Sequence, residues 1–296
     1  MTDGKLNNAC AVALGNFDGL HIGHKKVLES ALEFSEKYNL EPNVMLFDIH
    51  PRELIFGEKI PKLLTDTETE KLLAEMGFSV YRVGFADIKD YTSEVFFNRI
   101  LIGELNAKAL CCGFNYSFGK YGAGNEETLR ILCEKNNVKC SVIQPVSVDG
   151  VTVSSTAVRS FLLNGEVRKA AEMLGRNYAV SGEVVHGDAR GRTLGFPTAN
   201  QIIDESLVVP KYGVYETSVS IDGQKYKGVT NIGIRPTYRS QRALAETNII
   251  DFSGSLYGRN VSVELLRYIR PETRFNSAEE LKSQLLKDTA EVTGNV

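Results

Sequence analysis

The chain has 296 residues, enough for about two domains, and its 43% hydrophobic and 9% aromatic residues are ordinary for a globular protein. Its 34 Lys and Arg residues against 37 Asp and Glu residues leave a net charge of −3, which gives no electrostatic reason to expect a nucleic acid or an anionic membrane as partner. No apolar run reaches the roughly 18 residues of a membrane span, and the N-terminus has no secretory signal. We therefore expect a cytoplasmic protein that binds neither nucleic acid nor membrane.

The five cysteines are odd in number and form no C-x-x-C pair. This usage predicts buried thiols in a reducing compartment. Cys111 and Cys112 are adjacent and could form a redox site, but their place at the end of an apolar run favours packing in the core.

The first predicted elements are a buried strand, Cys10 to Leu14, a tight glycine turn, and a helix beyond Gly23. His21 and His24 lie where the chain enters this helix. Free backbone N–H groups and the positive end of the helix dipole point outward there, so the place suits a phosphate. The two imidazoles would add hydrogen bonds to oxygens on which charge builds during attack at phosphorus. The turn residues expected beside this phosphate are Gly15, Phe17 and Asp18.

A second strand, Asn43 to Asp48, runs into His50 and Pro51. Pro51 is expected to stop regular structure, which leaves His50 at the carboxyl end of a strand, where ligands bind in open α/β sheets. His50 could instead simply cap a turn. The elements that follow are helix 65–77 with a Thr65 and Glu68 capping box, strand 80–84, helix 93–105 and strand 109–112.

The next loop, 113–122, is rich in glycine and aromatic residues and again follows a strand. Asn115 and the rings at positions 114, 116 and 118 suit a planar heterocycle whose edge can be read by hydrogen bonds. The alternative is a loop that folds two of its aromatic rings onto the core. The chain continues as helix 125–135 and an extended segment, 138–145.

The stretch 153–159, V-S-S-T-A-V-R, opens another helix and offers a second phosphate site. Ser155, Thr156 and Arg159 would gather at the helix N-terminus and add two hydroxyls and a guanidinium to its free N–H groups. Such a group forms a clamp for a triphosphate. Taken by itself, the stretch also fits a redundant helix cap followed by a surface arginine.

Strands and helices alternate up to this point, which predicts a parallel sheet with helices on both faces. From about Tyr178 strands dominate, so the second half is expected to be a small antiparallel barrel. We place the boundary near Arg176, and the predicted domains are 1–175 and 176–296. The predicted barrel strands are 178–185, 213–221, 225–232, 246–252 and 260–270.

Two local signals support this second domain. Asp222 and Gly223 form a hairpin turn between two strands. The only helix expected after the barrel, Ser277 to Glu291, opens with a capping box of Ser277 and Glu280. Its predicted inward residues are Leu281, Leu285 and Leu286.

Between two strands of the barrel lies the loop 185–200, V-H-G-D-A-R-G-R-T-L-G-F-P-T-A-N. Its glycines and arginines make a cationic cover for phosphates. Thr198 and Asn200, alternate residues after Pro197, would point to one side and present two neutral oxygens, which suits a Mg2+ ion carried by a nucleotide. Glu246 opens the stretch E-T-N-I-I-D-F and is a candidate general base, or else a charge at a strand edge. The loop residues expected to bind phosphate are Gly187, Arg190, Gly191 and Gly195.

Together these motifs resemble the prokaryotic bifunctional riboflavin kinase/FMN adenylyltransferase family, often called FAD synthetase. In the first half, G-N-F-D-G-L-H-I-G-H, H-P-R-E, G-F-N-Y-S-F-G and S-S-T-A-V-R occur in that family's order. In the second half, G-R-x-L-G-F-P-T-A-N, N-I-G-I-R-P-T, E-T-N-I-I-D-F and L-Y-G do the same. The resemblance therefore covers nearly the whole chain.

The resemblance implies an α/β plus β fold, with a Rossmann-like parallel-sheet nucleotidyltransferase domain followed by a small antiparallel β-barrel flavokinase domain and a C-terminal helix. It implies phosphorylation of riboflavin to FMN by ATP, then adenylylation of FMN to FAD with release of pyrophosphate, both with Mg2+. Glu246 would take the proton of the ribityl 5′-hydroxyl. The residues implied to contact ATP in the first domain are His21, His24, Ser155, Thr156 and Arg159. Those implied to contact flavin are His50 and Asn115 in the first domain and Arg235 and Arg270 in the second.

Two other interpretations compete with this one. A nucleotidyltransferase with a single activity, whose barrel only senses flavin, would need neither a base nor metal ligands in that barrel, so Glu246 and P-T-A-N argue against it. A nucleic-acid-binding protein would carry a basic stripe, and the chain has none. We expect small-molecule substrates only.

Overall fold

The computed structural model of this protein describes residues 6–187, 195–237 and 240–294. It divides into two compact units, the first ending at Ser155 and the second beginning at Thr156. The predicted domain boundary between residues 175 and 176 lies two helices further along the chain, and it stays a prediction.

The first unit is built on a sheet of five strands: β1 (Cys10–Leu14), β2 (Glu41–Phe47), β3 (Ser79–Val83), β4 (Ala107–Gly113) and β5 (Lys139–Ile143). Their order across the sheet is β3-β2-β1-β4-β5, and each neighbouring pair is parallel, as predicted. β1 lies at the centre and all of its residues are buried. A parallel strand covered on both faces has to be apolar throughout, which explains the sequence C-A-V-A-L.

Helices cover both faces of this sheet, over two clusters of buried apolar side chains. The helices of this unit are α1 (Ile22–Tyr38), α2 (Pro51–Phe56), α3 (Asp66–Glu75), α4 (Phe85–Ile88), α5 (Ser93–Phe96) and α6 (Glu126–Lys135), with a π-helical segment at Phe97–Glu104. All of α2 lies outside the buried clusters. A short hairpin of β6 (Ser147–Val148) and β7 (Val151–Thr152) follows β5. The predicted capping box of α3 is confirmed, since the Thr65 and Glu68 side chains each accept a hydrogen bond from the other residue's backbone N–H.

The expectation that Pro51 stops regular structure is wrong, because Pro51 is the first residue of α2. The first N–H group of a helix has no partner inside the helix, so a proline costs nothing there, and its fixed φ suits the helix. His50 is the N-cap: its Nδ1 accepts a hydrogen bond of 3.2 Å from the Arg52 N–H.

The second unit is a closed barrel of six strands, which confirms the predicted architecture. Its strands are β8 (Ala179–Val185), β9 (Thr198–Ile202), β10 (Gly213–Ile221), β11 (Gln224–Thr237), β12 (Ser240–Ile249) and β13 (Asn260–Arg270), in the order β10-β11-β12-β9-β8-β13 around the barrel. Helices α7 (Ser155–Asn164) and α8 (Val167–Leu174) precede it, and α9 (Ala278–Thr293) follows it. The predicted turn at Asp222 and Gly223 is confirmed, with φ of 52° and 81°.

β9 was not predicted as a strand, because T-A-N-Q-I lacks an apolar alternation that would mark one. Inside the barrel, three hydroxyls form a chain, with Oγ1–Oγ1 distances of 2.9 Å from Thr217 to Thr230 and 2.9 Å from Thr230 to Thr247.

The predicted inward face of α9 is partly wrong. Leu286 is 54% exposed, whereas Asp288 and Val292 are buried.

The reason is that α9 turns a carboxylate toward the barrel. Asp288 is 2% exposed and accepts hydrogen bonds from Nε and Nη2 of Arg270, at 2.9 Å and 2.7 Å. Val292 packs with Val214 and Val229 on the outer face of the barrel. The helix is thus held by the ion pair of Asp288 with Arg270, by a second pair of Glu291 with Arg267, and by a small apolar cluster.

We predict that Asp288→Ala lowers the free energy of unfolding by about 3 kcal/mol, because it leaves the partly buried Arg270 guanidinium without its carboxylate partner. Urea denaturation measures the change. Glu205→Ala removes an exposed ion pair with Arg242 and serves as the control, with an expected loss below about 1 kcal/mol. Equal losses in the two variants would contradict the assignment.

Candidate active sites

The parallel sheet brings three of the predicted site segments to one edge. β1 leads into Gly15, β2 leads toward His50, and β4 leads into Asn115. Because all of these strands are parallel, their carboxyl ends meet at the same edge, where open α/β sheets bind ligands.

The turn after β1 has a strained backbone held by a buried ring. Phe17 has φ of 50°, which a bulky side chain rarely adopts, and it is fully buried. Asp18 accepts a hydrogen bond of 2.7 Å from the Leu63 N–H through Oδ1. The Ser155 hydroxyl donates to the Asp18 carbonyl at 2.9 Å. The structure therefore brings Ser155 to the turn of the histidine motif, as the sequence predicts.

His21 is the N-cap of α1, and its Nδ1 accepts a hydrogen bond of 3.1 Å from the His24 N–H. The neutral ring then carries its proton on Nε2. The two imidazoles are stacked, with centroids 3.6 Å apart and an angle of 14° between the planes. A Cβ on Gly23 would lie 3.2 Å from two atoms of the His21 ring, so the glycine of H-x-G-H leaves room for this stack.

His24 is held in its neutral form. Burial, and then the charge of His21, lower the pKa of His24 well below its ordinary value of 6.5. Its Nδ1 is buried and has no hydrogen-bond partner within the described part of the chain. Unpaired buried polar atoms are costly and cluster at functional sites. His24 therefore offers a neutral donor, the kind of group that binds a phosphate oxygen without adding a positive charge.

His50 uses both ring nitrogens within the protein. Its Nδ1 caps α2, and its Nε2 lies 3.2 Å from the Asn16 side-chain amide. Since Nδ1 accepts, Nε2 carries the proton, and we assign the Asn16 amide with its oxygen toward it. His50 thus ties the end of β1 to the start of α2, and a flavin contact by His50 stays a prediction.

The aromatic loop divides into packed and exposed residues. Phe118 is buried in the core, and the Tyr116 ring stacks on it with centroids 5.6 Å apart. Asn115 and Phe114 are exposed, Phe114 by 37%. Two of the three rings therefore fold onto the core, as the alternative interpretation has it, and Asn115 and Phe114 remain at the sheet edge for a ligand.

Thr156 and Arg159 lie in the first two turns of α7, which has Val158 and Leu162 on its buried face. Both belong to the second unit. Their gathering with the histidines around a triphosphate stays a prediction.

The second site lies on the outer face of the barrel, where three strands pair. In the antiparallel register, Asn200 of β9 is opposite Glu246 of β12, and Glu246 is opposite Asn231 of β11. Thr198 is opposite Asn248 in the same ladder. Opposite residues share a face, so the register brings Thr198, Asn200 and Glu246 together.

Two expectations about Glu246 are corrected. β12 begins at Ser240, so Glu246 lies inside the strand instead of opening it. β12 is paired on both sides, with β11 and β9, so the interpretation of Glu246 as an edge charge is wrong. A charged residue in the middle of a paired strand has no place in the barrel interior, and it faces outward between two asparagines.

Asn200 is 5% exposed, and its Nδ2 donates to the Thr198 carbonyl at 3.2 Å. Its Oδ1 is buried and has no partner among the residues that the structure describes. An unpaired neutral oxygen fits a hard cation such as Mg2+. Gly187 packs against this amide: a Cβ there would lie 2.6 Å from Nδ2 and 2.8 Å from Oδ1 of Asn200.

A cleft of about 510 Å³ adjoins this row. It lies between the start of β9, the end of β12 and α9, and its volume is in the range of small-molecule sites. Its lining residues are Gly195, Phe196, Pro197, Asn248, Ile249, Ile250, Asp251, Phe252, Ser253 and Thr289.

Three predicted arginines have different outcomes. Arg190, with Gly191, lies outside the described residues. Arg235 is in β11, but its side chain is outside the described part. Arg270 is engaged by Asp288, as described above, and its predicted flavin contact stays a prediction.

Sequence reasoning missed Asn231 and Asn248 as neighbours of the kinase residues. Both belong to quoted motifs, N-I-G-I-R-P-T and E-T-N-I-I-D-F, and a polar residue inside each apolar strand was the available signal. It also missed the stack of His186 on Tyr257, with ring centroids 3.9 Å apart, directly before Gly187.

Two family models match the chain, FAD synthetase over residues 3–157 and riboflavin kinase over residues 174–295. A bifunctional riboflavin kinase/FMN adenylyltransferase of Bacillus subtilis is 36% identical, over 95% of this chain and 90% of the relative. The chain belongs to the bifunctional riboflavin kinase/FMN adenylyltransferase family. Another member, from Escherichia coli, is 39% identical over 94% of this chain and 90% of its own length.

A crystal structure from Streptococcus pneumoniae, described as a macrolide-efflux protein, has the fold of this family member. The two are 34% identical with a TM-score of 0.89, over 99% of this chain and 96% of the other. Within the described ranges of the present chain, no helix has the length and apolar character needed to cross a membrane.

We predict that Gly187→Ala lowers kcat/KM for riboflavin phosphorylation about tenfold or more, because the added Cβ displaces the Asn200 amide. The rate of FMN formation measures this. Gly182→Ala, in the preceding strand β8, is the matched control, since its Cβ would meet the nearest atom at 3.7 Å, an ordinary contact. A similar loss in both variants would contradict the role given to Gly187.

We also predict that the His24 ring stays neutral when the pH falls from about 8 to about 6, as seen in imidazole NMR spectra. The unfolded chain takes up a proton at His24 near pH 6.5, and the folded chain does not. The contribution of His24 to stability is therefore fully present above that pH and declines below it. A His24 signal that titrates near pH 6.5 would contradict the buried, neutral ring.

Proposed function

We propose that this protein makes FMN and then FAD from riboflavin and ATP, with one reaction in each unit. The observation that carries the proposal is the row Asn200, Glu246 and Asn231 on the barrel face, in a chain whose first unit also presents a stacked histidine pair at the carboxyl edge of a parallel sheet. A carboxylate between two amides is suited to accept a proton, and paired imidazoles are suited to bind phosphate oxygens.

In the kinase reaction, Glu246 takes the proton of the ribityl 5′-hydroxyl while the oxygen attacks the γ-phosphorus of ATP. The bond from that phosphorus to the bridging oxygen breaks, and ADP leaves. Gly187 and Gly195, with Arg190 and Gly191 between them, cover the phosphates. Arg235 and Arg270 are proposed to contact the flavin.

The residues present fit a magnesium ion, because the buried Asn200 Oδ1, beside Thr198, is a neutral oxygen that the described residues leave unpaired. We propose that Thr198 and Asn200 hold this ion together with the nucleotide. When bound, it neutralises charge on the phosphates of ATP. The chain's own residues position the groups and move the proton.

In the adenylyltransferase reaction, the FMN phosphate attacks the α-phosphorus of ATP, and pyrophosphate leaves. The nucleophile is already ionised, so this site needs no general base. His21 and His24 donate hydrogen bonds to the phosphate oxygens, and Gly15, Phe17 and Asp18 shape the turn that carries them. Ser155, Thr156 and Arg159 are proposed to clamp the triphosphate, and His50 and Asn115 to contact the flavin.

We further propose a cytoplasmic location. Both reactions consume ATP, and the five cysteines, all of them described, are free thiols. Thiols persist in a reducing compartment.

We predict that Glu246→Gln lowers FMN formation by about a hundredfold or more and leaves FAD formation from supplied FMN unchanged. His24→Ala is predicted to do the reverse, because the two reactions use separate residues. Chromatography of the flavins, sampled over time with purified protein and Mg-ATP, measures both activities.

In the unaltered protein, FMN should appear first and FAD should follow. If either variant lost both activities while remaining folded, the assignment of one reaction to each unit would be wrong. If FMN is the only product, the protein is a kinase whose first unit is inactive. If the protein forms no FMN from riboflavin but forms FAD from supplied FMN, it is the single-activity transferase with a barrel that senses flavin.

A further inference from the structure

A carboxylate that neither proposed reaction uses lies next to the general base. Glu272 accepts a hydrogen bond of 3.0 Å through Oε1 from the Asn231 Nδ2. Asn231 is the direct cross-strand partner of Glu246. Opposite residues of an antiparallel pair have Cβ atoms about 5 Å apart on one face of the sheet. Asn231 therefore stands between the two carboxylates.

The backbone of β11 provides a seat for this carboxylate. A Cβ on Gly233 would lie 2.2 Å from the Glu272 Oε1 and 2.9 Å from its Cδ. Gly233 and Asn231 alternate along the strand and so share its outer face. The missing side chain at Gly233 is thus the space that Glu272 fills.

The segment that carries Glu272 is held from the other side. The Arg270 guanidinium, paired with the buried Asp288, also donates through Nη1 to the Pro271 carbonyl at 3.0 Å and lies 3.5 Å from the Thr273 hydroxyl. These are the two neighbours of Glu272. The ion pair that holds α9 therefore also fixes the turn from which Glu272 reaches the site.

We propose that Glu272 is a positioning residue of the kinase reaction, which holds the Asn231 amide in one orientation beside Glu246. This rests on the proposed role of Glu246 as base. An ionised carboxylate only accepts hydrogen bonds, so it fixes which end of the amide faces it. Without the Glu272 carboxylate, the Asn231 amide can rotate by about 180°. The amide beside Glu246 then no longer has one orientation at the face where Glu246 meets the ribityl hydroxyl.

The first test is a pair of variants of the full chain, assayed for FMN formation from riboflavin and Mg-ATP. Glu272→Ala should lower kcat about tenfold to a hundredfold and leave both KM values within about twofold, since alignment of the base is lost and substrate contacts are not. Glu272→Gln, which still accepts from Asn231 through its amide oxygen, should restore most of kcat. Glu205→Ala is the control for loss of an exposed carboxylate in the same unit.

A second variant displaces the Glu272 carboxylate from its position against β11 while keeping residue 272 unchanged. Gly233→Ala should push Glu272 from its seat and lower kcat to a similar extent, and the double variant Gly233→Ala/Glu272→Ala should lose no more than either single one. Additive losses would overturn the proposal. So would an unchanged kcat in Glu272→Ala, or a raised KM for riboflavin at constant kcat, which would mark Glu272 as a substrate contact.

Formation of FAD from supplied FMN should be the same in all of these variants, because that reaction belongs to the first unit and the substitutions lie in the second. A cooperative urea unfolding transition of each variant reports that the barrel is folded. The proposed function fails separately, if the unaltered protein forms no FMN or if Glu246→Gln leaves its rate unchanged. A loss confined to Glu272→Ala and Gly233→Ala, with rescue by Glu272→Gln, is the result expected for positioning.

Discussion

Strand pairing through backbone hydrogen bonds is the constraint on which both sites depend. In the first unit the pairing is parallel, so every strand delivers its following loop to one edge, and residues from three separate loops meet there. In the second unit the pairing is antiparallel and closed, so residues far apart in the chain stand side by side. Asn200, Glu246 and Asn231 are neighbours only because three strands hold one register. A slip of one residue would turn Glu246 into the barrel interior.

Within that frame, three glycines act by leaving space for a polar side chain. Gly23 admits the His21 ring, Gly187 admits the Asn200 amide, and Gly233 admits the Glu272 carboxylate. None of the three is in the left-handed region of φ. Glycine is therefore needed at these positions for the space that its missing side chain leaves, and not for its backbone conformation. Each places a hydrogen-bonding group tightly against the main chain, where few rotamers remain to it. This is how the sites become rigid before substrate arrives.

The two sites differ in their electrostatics. The first holds two stacked imidazoles, and burial keeps the pKa of His24 low, so His24 offers a neutral donor. The second places a carboxylate between two amides. The ion pair of Arg270 with the buried Asp288 holds the neighbouring segment that carries Glu272. A proton acceptor is needed where the nucleophile is a hydroxyl, and it is not needed where the nucleophile is an ionised phosphate. The difference in residues matches the difference in chemistry.

The sequence by itself determined the order and type of most elements, because apolar periodicity, caps and turn residues act locally. The buried β1, the Thr65 cap of α3 and the turn at Asp222 could all be predicted without tertiary information. It also predicted which motifs would carry chemistry. It failed where a residue's environment is set by a distant partner. Leu286 lies outside because Asp288 pairs with Arg270, and Asn231 joins the site only through the register of β11 with β12. Such pairings join residues far apart in the chain, and no local pattern encodes them, so only the tertiary structure decided them.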